Sequence, residues 1–236
     1  MKKSLLLLMI GFSFNQLFAQ EDRNFKIPLI GDPAPVFTAE TTKGTLTFPD
    51  SYGNKWKLLF SHPQDYTPVC SSELIELANM QNDFDELNAK IIIVSTDQLE
   101  THVQWIKSLE ELTYKGKKTQ KIQFPLVDDN NKSVAKLYGM IHPSSNTTKD
   151  VRGVYIIDNH DVIQAILFYP MSVGRNMDEI KRTLIALQTV KEDAIVTPAN
   201  WTPGEDVMVH YKKTAKENEA DGLYDVAWYM TFRKTK

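Results

Sequence analysis

Ser61-His62-Pro63-Gln64-Asp65-Tyr66-Thr67-Pro68-Val69-Cys70 contains the only cysteine of the 236-residue chain. Thr67 is a favourable N-cap, and Pro68 a favourable first helical residue, because the N–H that proline lacks is unpaired there in any case. Cys70 then falls at the third helical position, where backbone N–H groups and the positive end of the helix dipole face its sulfur. That setting stabilises a thiolate. The sequence therefore describes an activated nucleophile at a helix start. Upstream, the apolar run Trp56 to Phe60 has the length and flanks of a central strand that delivers the cysteine loop. Downstream, the spacing of Val69, Leu74, Leu77, Ala78, Met80 and Phe84 predicts a long helix from Pro68.

Outward from this stretch the pattern alternates. Pro35-Val36-Phe37-Thr38 and Gly44-Thr45-Leu46-Thr47-Phe48 read as strands about the turn Thr42-Lys43-Gly44. Ile91-Ile92-Ile93-Val94-Ser95 is a β-branched run, the mark of a strand buried on both faces. A helix is predicted from about Glu100 to Leu112, a short strand or extended loop at Phe124 to Asp128, and a short helix at Ser133 to Tyr138 stopped by Gly139. Val154 to Ile157 and Ala165 to Tyr169 read as strands around Asp158-Asn159-His160-Asp161, and Met177 to Val190 has helical spacing. The order βαβα followed by ββα is that of a layered α/β domain of thioredoxin-like type: a mixed central sheet flanked by helices, spanning residues 28–190. After Val190 the texture changes. Pro198, Trp201, Pro203 and Gly204 break periodicity, Lys212 to Ala220 is a charged run, and Trp228-Tyr229-Met230-Thr231-Phe232 is strand-like, which sets residues 191–236 apart.

Composition narrows the class. Apolar residues make up 42% and charged residues 24%, the balance of a soluble globular protein, and the net charge of −3 points away from nucleic acid as a partner. Lys2-Lys3, the apolar stretch Ser4 to Phe18 and the small residue Ala19 read as a secretory signal peptide over residues 1–19. The expected mature protein is exported, periplasmic or secreted, with no membrane attachment once the signal is cleaved. A single cysteine has no internal disulfide partner, so the thiol is reactive, paired between molecules, or buried. His102, His142, His160 and His210 show no metal-ligand spacing, and no metal or cofactor is expected.

Pro63, Thr67 and Cys70 together fit Pro-x-x-x-Thr-x-x-Cys, the active-site pattern of the peroxiredoxins. The preceding Ser-His-Pro and following Ser-Ser-Glu-Leu resemble the one-cysteine subfamily, as do Gly31 to Phe37, Gly174-Arg175-Asn176 and Thr197-Pro198-Ala199-Asn200-Trp201. The resemblance implies a thioredoxin-like fold with a C-terminal peroxiredoxin dimerisation subdomain. It also implies a thiol-dependent peroxidase acting on hydrogen peroxide and organic hydroperoxides, with no cofactor. Cys70 would become a sulfenic acid and be resolved by an external thiol, a thioredoxin-like protein or a small thiol. A homodimer is implied.

The resemblance assigns catalysis to Cys70, Thr67, Arg152 and Pro63. Arg152 would hold the thiolate and the polarised peroxide oxygen, Thr67 would orient the peroxide, and Pro63 would shield the sulfur. His62, Glu73 and Arg175 are further candidates for the substrate pocket. Glu73 lies three residues after Cys70 on the same side of the helix; it either holds an arginine or is a plain surface residue. Two rival readings remain: a scaffold or chaperone in which Cys70 is inert, and a phospholipase. The phospholipase serine of some relatives sits in Gly-Asp-Ser-Trp-Gly, seven positions before the His-Pro pair, where this chain has Lys55, so that activity is disfavoured.

Overall fold

The computed structural model describes residues 27–146, 148–191, 195–209 and 222–235. The predicted signal peptide and the charged run Lys212 to Ala220 lie outside the described residues. Strands β1 (Phe37–Ala39) and β2 (Leu46–Phe48) pair as a small antiparallel ribbon. The chain continues through β3 (Trp56–His62), α1 (Pro68–Glu86), β4 (Ala89–Ser95) and α2 (Leu99–Glu111). A two-residue hairpin, β5 (Thr113–Tyr114) and β6 (Lys117–Lys118), precedes β7 (Leu126–Asp128) and α3 (Ser133–Leu137). Next come β8 (Arg152–Ile157), β9 (Ile163–Tyr169) and α4 (Met177–Thr189).

The central sheet has the order β7-β4-β3-β8-β9. β3 runs parallel to β4 and antiparallel to β8, so the sheet is mixed, with the strand that delivers the cysteine loop at its centre. The run Ile91 to Val94 shows why both faces are filled. Ile91 and Ile93 join a core with Leu74, Leu77 and Phe84 of α1, Trp105 and Leu109 of α2, and Ile180 and Leu184 of α4. Ile92 and Val94 face the other way, into a core built from Phe37, Phe48, Val134, Tyr138 and Tyr155. Side chains alternate across a strand, so a continuous apolar run must be covered twice. Each fully buried Leu or Ile contributes roughly 1.5–3 kcal/mol.

Beyond α4, strands β10 (Ile195–Val196), β11 (Val207–Val209), β12 (Leu223–Ala227) and β13 (Met230–Arg233) form an antiparallel sheet in the order β10-β11-β13-β12. Ile195, Trp201 and Val207 pack against Ile185 and Ala186 of α4, which ties this subdomain to the main one. One detail corrects the sequence reading. Trp228 and Tyr229 have strand-like chemistry but form the two-residue turn between β12 and β13, because Ala227 pairs with Met230 and the chain reverses between them. Both side chains are exposed.

Candidate active site

β3 ends at His62, the loop crosses Pro63 to Thr67, and α1 begins at Pro68. Cys70 therefore occupies the third helical position, as its spacing predicts. Thr67 stands at the N-cap, and its carbonyl accepts from Ser71 N at 2.9 Å. Its hydroxyl does not cap the helix, contrary to expectation: it donates to the Gln64 carbonyl at 2.9 Å. The single hydroxyl hydrogen is thus used inside the loop, and the oxygen's lone pairs are left as acceptors. Pro63 is buried, and Cys70 is fully buried.

Two arginines converge on α1 from elsewhere. Arg152 opens β8. Its Nη1 lies 3.3 Å from Cys70 Sγ and 2.8 Å from Glu73 Oε2, while Nε and Nη2 donate to the Met171 carbonyl at 2.9 and 2.7 Å. Arg175 immediately precedes Asn176, whose side chain caps α4 by accepting from Glu179 N. Arg175 grips Glu73 through Nε at 3.0 Å, Nη2 at 2.6 Å and its backbone N at 2.7 Å. Its Nη1 donates to the Ser61 and Gly153 carbonyls at 2.9 and 2.8 Å, and its guanidinium lies 5.0 Å from the Phe60 ring centroid. Glu73 is buried, so of its two sequence readings the one that holds an arginine is correct, and it holds two. Burial pushes its carboxyl up, but attraction and hydrogen bonds from Arg175, then attraction from Arg152, hold it below the usual carboxylate range.

Ser61 sets the position of β8. Its hydroxyl donates to the Val151 carbonyl at 2.6 Å and accepts from Gly153 N at 2.8 Å. A Cβ on Gly153 would stand 3.1 Å from that hydroxyl and 3.1 Å from Phe168 Cε1, so the close approach of β8 to β3 favours glycine beside Arg152.

His62 is placed at the end of β3 and bonds to Asp65, which in turn bonds to His102. The structure thus brings Cys70, Glu73, Arg152 and Arg175 into one contact set, with His62 in an adjoining buried network. Sequence reasoning passed over Ser61, Asp65, His102 and the Met171 carbonyl. His62-x-x-Asp65 was a usable local signal, whereas His102 lies 37 residues from Asp65 and only the fold joins them. Among the described residues no group of three or more His, Cys, Asp or Glu is placed to hold a metal ion.

A helix-start cysteine under an arginine, on a mixed sheet with helices on its faces, defines a thiol enzyme of thioredoxin-like fold. Residues 30–166 match the model of the AhpC/TSA family, and residues 186–221 that of the C-terminal domain of 1-Cys peroxiredoxin. A peroxiredoxin from Methanosarcina mazei is 46% identical over 215 residues, covering 88% of this chain and 98% of that one. A yeast mitochondrial 1-Cys peroxiredoxin structure, described in terms of thiol resolution via glutathione/thioredoxin systems, has a TM-score of 0.79 at 35% identity, covering 88% of this chain and 100% of that one. A cysteine-to-serine variant of peroxiredoxin 6 of Arenicola marina has a TM-score of 0.79 at 30% identity, covering 88% of this chain and 98% of that one. The chain belongs to the AhpC/TSA family and is a one-cysteine peroxiredoxin, a thiol-dependent peroxidase.

Proposed function

We propose that Cys70, Thr67, Arg152 and Pro63 carry out peroxide reduction, with Glu73 and Arg175 holding Arg152 in place. The contact that supports this most directly is Arg152 Nη1 at 3.3 Å from Cys70 Sγ. The Cys70 thiolate attacks the terminal peroxide oxygen. The O–O bond breaks, sulfur is oxidised to the sulfenic acid, and the alkoxide or hydroxide takes up a proton and leaves. Arg152 stabilises negative charge as it moves from sulfur to the departing oxygen. Thr67 accepts from the peroxide O–H, the role left open by its bond to Gln64. An external thiol then condenses with the sulfenic acid and expels water, and a second thiol releases Cys70 from the mixed disulfide.

The chain has one cysteine, so the resolving thiol comes from another molecule. We further propose that the enzyme is exported with loss of residues 1–19 and works as a homodimer built through its C-terminal subdomain. The C-terminal family match supports the dimer. The Lys2-Lys3 and apolar leader supports export. Mass spectrometry after equimolar hydroperoxide should show one added oxygen on the wild type and none on Cys70→Ser. Turnover by the serine variant would overturn the mechanism. N-terminal sequencing from the native host and light scattering of the mature chain test export and dimerisation, and an intact Met1 or a monomer would refute the respective proposal.

A further inference from the structure

Asp97 ties together the two chain segments that present Cys70 and Arg152. It lies between β4 and α2, two residues beyond Ser95, which pairs with His62 at the end of β3. That register sets it beside the cysteine loop. Its Oδ2 accepts from the backbone N–H of Asp65 at 2.6 Å, and its Oδ1 accepts from Lys149 Nζ at 2.7 Å. Asp65 belongs to the loop that ends in Cys70. Lys149 belongs to the segment that leads into Arg152, three residues further on.

The bridge is anchored at each end. The N–H of Asp97 donates to the Ser95 hydroxyl at 3.3 Å. Lys149 is fixed through its backbone, because Asn146 Oδ1 accepts from Lys149 N at 3.0 Å and from Thr148 N at 2.7 Å. The Val151 carbonyl, two residues on, accepts from the Ser61 hydroxyl and joins the same segment to β3. By contrast, the bond from the Thr67 hydroxyl to the Gln64 carbonyl stays within the cysteine loop. The side chains of Asp97 and Lys149 are only 16% and 25% exposed, so water screens their attraction less than it screens a pair on the open surface. Both bonds to the carboxylate are charge-assisted, the stronger kind.

The two halves of the catalytic cycle make opposite demands on this bridge. Attack on the peroxide needs Cys70 Sγ held at the Arg152 guanidinium, 3.3 Å away. Resolution needs the thiol of another molecule to touch the same sulfur, which is fully buried. The sulfenic S–O bond breaks as the S–S bond forms, and hydroxide takes up a proton and leaves as water. A loop pinned at Asp65 serves the first step and excludes the incoming thiol from the second. We propose that Asp97, braced by Lys149, is a positioning residue that holds the cysteine loop to the segment carrying Arg152 during oxidation, and that its release of the Asp65 N–H admits the external thiol. This role rests on the peroxidase reading above.

Rapid-quench mass spectrometry of the full chain reads the two steps separately: gain of one oxygen on Cys70 from hydrogen peroxide, and conversion of the preformed sulfenic acid to a mixed disulfide by glutathione. Asp97→Ala removes both bonds. Its oxidation should slow roughly tenfold as Cys70 loses its pose. Its reaction with glutathione should speed up roughly tenfold, the shift in a local opening equilibrium that one charge-assisted bond produces. Lys149→Met keeps the Asp65 bond but removes the brace, so oxidation should again slow and resolution quicken, each by a smaller factor. General damage to the fold would lower both rates together, and opposite movement is therefore the mark of positioning. If Asp97→Ala fails to fold, Lys149→Met decides alone, since its side chain is partly exposed. Rates that stay unchanged or move in the same direction, with the wild type forming sulfenic acid normally, overturn the positioning role only. A wild type that gains no oxygen from the peroxide overturns the peroxidase reading and this role with it.

Discussion

Glu73→Gln tests whether one carboxylate organises the active site. Glu73 accepts four hydrogen bonds: Arg175 N and Nε on Oε1, and Arg152 Nη1 and Arg175 Nη2 on Oε2. Glutamine preserves shape and one acceptor oxygen, so the two bonds to Oε1 can survive. The amide nitrogen then replaces Oε2 and faces two guanidinium N–H groups, donor against donor. Two charge-assisted bonds at about 1.5–3 kcal/mol each are lost. Breaking a buried ion pair by neutralising one partner costs about 3–5 kcal/mol, and the two figures agree. At roughly 2–4 °C per kcal/mol for a domain of this size, Tm at neutral pH should fall by about 6–20 °C. The carboxyl is held below its usual range in the fold. Its contribution is therefore present above the unfolded value of ~4.3 and is lost as pH falls through the lower folded value. The gap between wild type and variant should accordingly narrow in acid. Below the variant's Tm, Cys70 oxidation should slow at least about tenfold, the equivalent of ~1.4 kcal/mol, as Arg152 loses its fixed pose. Thermal scans at two pH values and stopped-flow traces make the comparison. A Tm within about 2 °C of wild type would refute the organising role.

Arg152→Lys should slow oxidation of Cys70 roughly a hundredfold, because one ammonium cannot both bond the Met171 carbonyl and reach Cys70 and Glu73; stopped-flow rates check it, and an unchanged rate removes Arg152 from the reaction. Asp150 is buried, with no partner for either carboxyl oxygen from another side chain or backbone group among the described residues, and burial, then repulsion from Asp129, pushes its carboxyl up against smaller pulls from its own backbone N–H, Arg175 and Lys149. The fold therefore loses stability as pH rises from the unfolded value of ~3.9 toward the folded one; Asp150→Asn should raise Tm at pH ~8 and lose that advantage toward pH ~4, and equal scans at both would contradict the sign. Gly139 has a φ of +63°, and a Cβ there would lie 2.7 Å from Ile27 Cγ1. Gly139→Ala should destabilise by at least ~1–2 kcal/mol in urea unfolding, and a neutral result would contradict the strain.

The legible part of this molecule is the part written in short-range spacing. The β-branched run at Ile91 predicts a doubly covered strand, and β4 is covered on both faces. Pro68 and Thr67 predict the helix start, and α1 begins at Pro68. What the spacing leaves out depends on meetings across the fold. Nothing near Glu73 in sequence says that Arg152 and Arg175, 79 and 102 residues away, will share it; the family resemblance nominated them, and only the sheet order brings them to one carboxylate. His102 was passed over because its partner is a loop aspartate on a different element. Trp228 and Tyr229 read as strand because aromatic propensity describes a half-buried pleated surface, and the turn that holds them follows from the pairing of Ala227 with Met230, which the residue types do not encode.

The charges at the site explain why a single cysteine suffices as its centre. Arg152 and Arg175 bring two positive charges into a buried region and Glu73 returns one negative, which leaves one positive charge at 3.3 Å from Cys70 Sγ. An unpaired buried charge is costly, and a thiolate neutralises it. The same arithmetic describes the product side, since the departing alkoxide inherits the negative charge and faces the same guanidinium until it is protonated. Arg175 contributes to this without touching the sulfur. Its remaining donors are spent on the Ser61 and Gly153 carbonyls, which join β3 to β8 beside the cysteine loop. Arg175→Met should therefore leave the net charge near sulfur at zero before Cys70 ionises and remove a clamp between two strands. Oxidation of Cys70 and strand packing should fail together. Stopped-flow oxidation by hydroperoxide below the variant's Tm reads the first and thermal melting the second. A variant with a wild-type oxidation rate but a lowered Tm would reduce Arg175 to a clamp and refute its part in the charge balance.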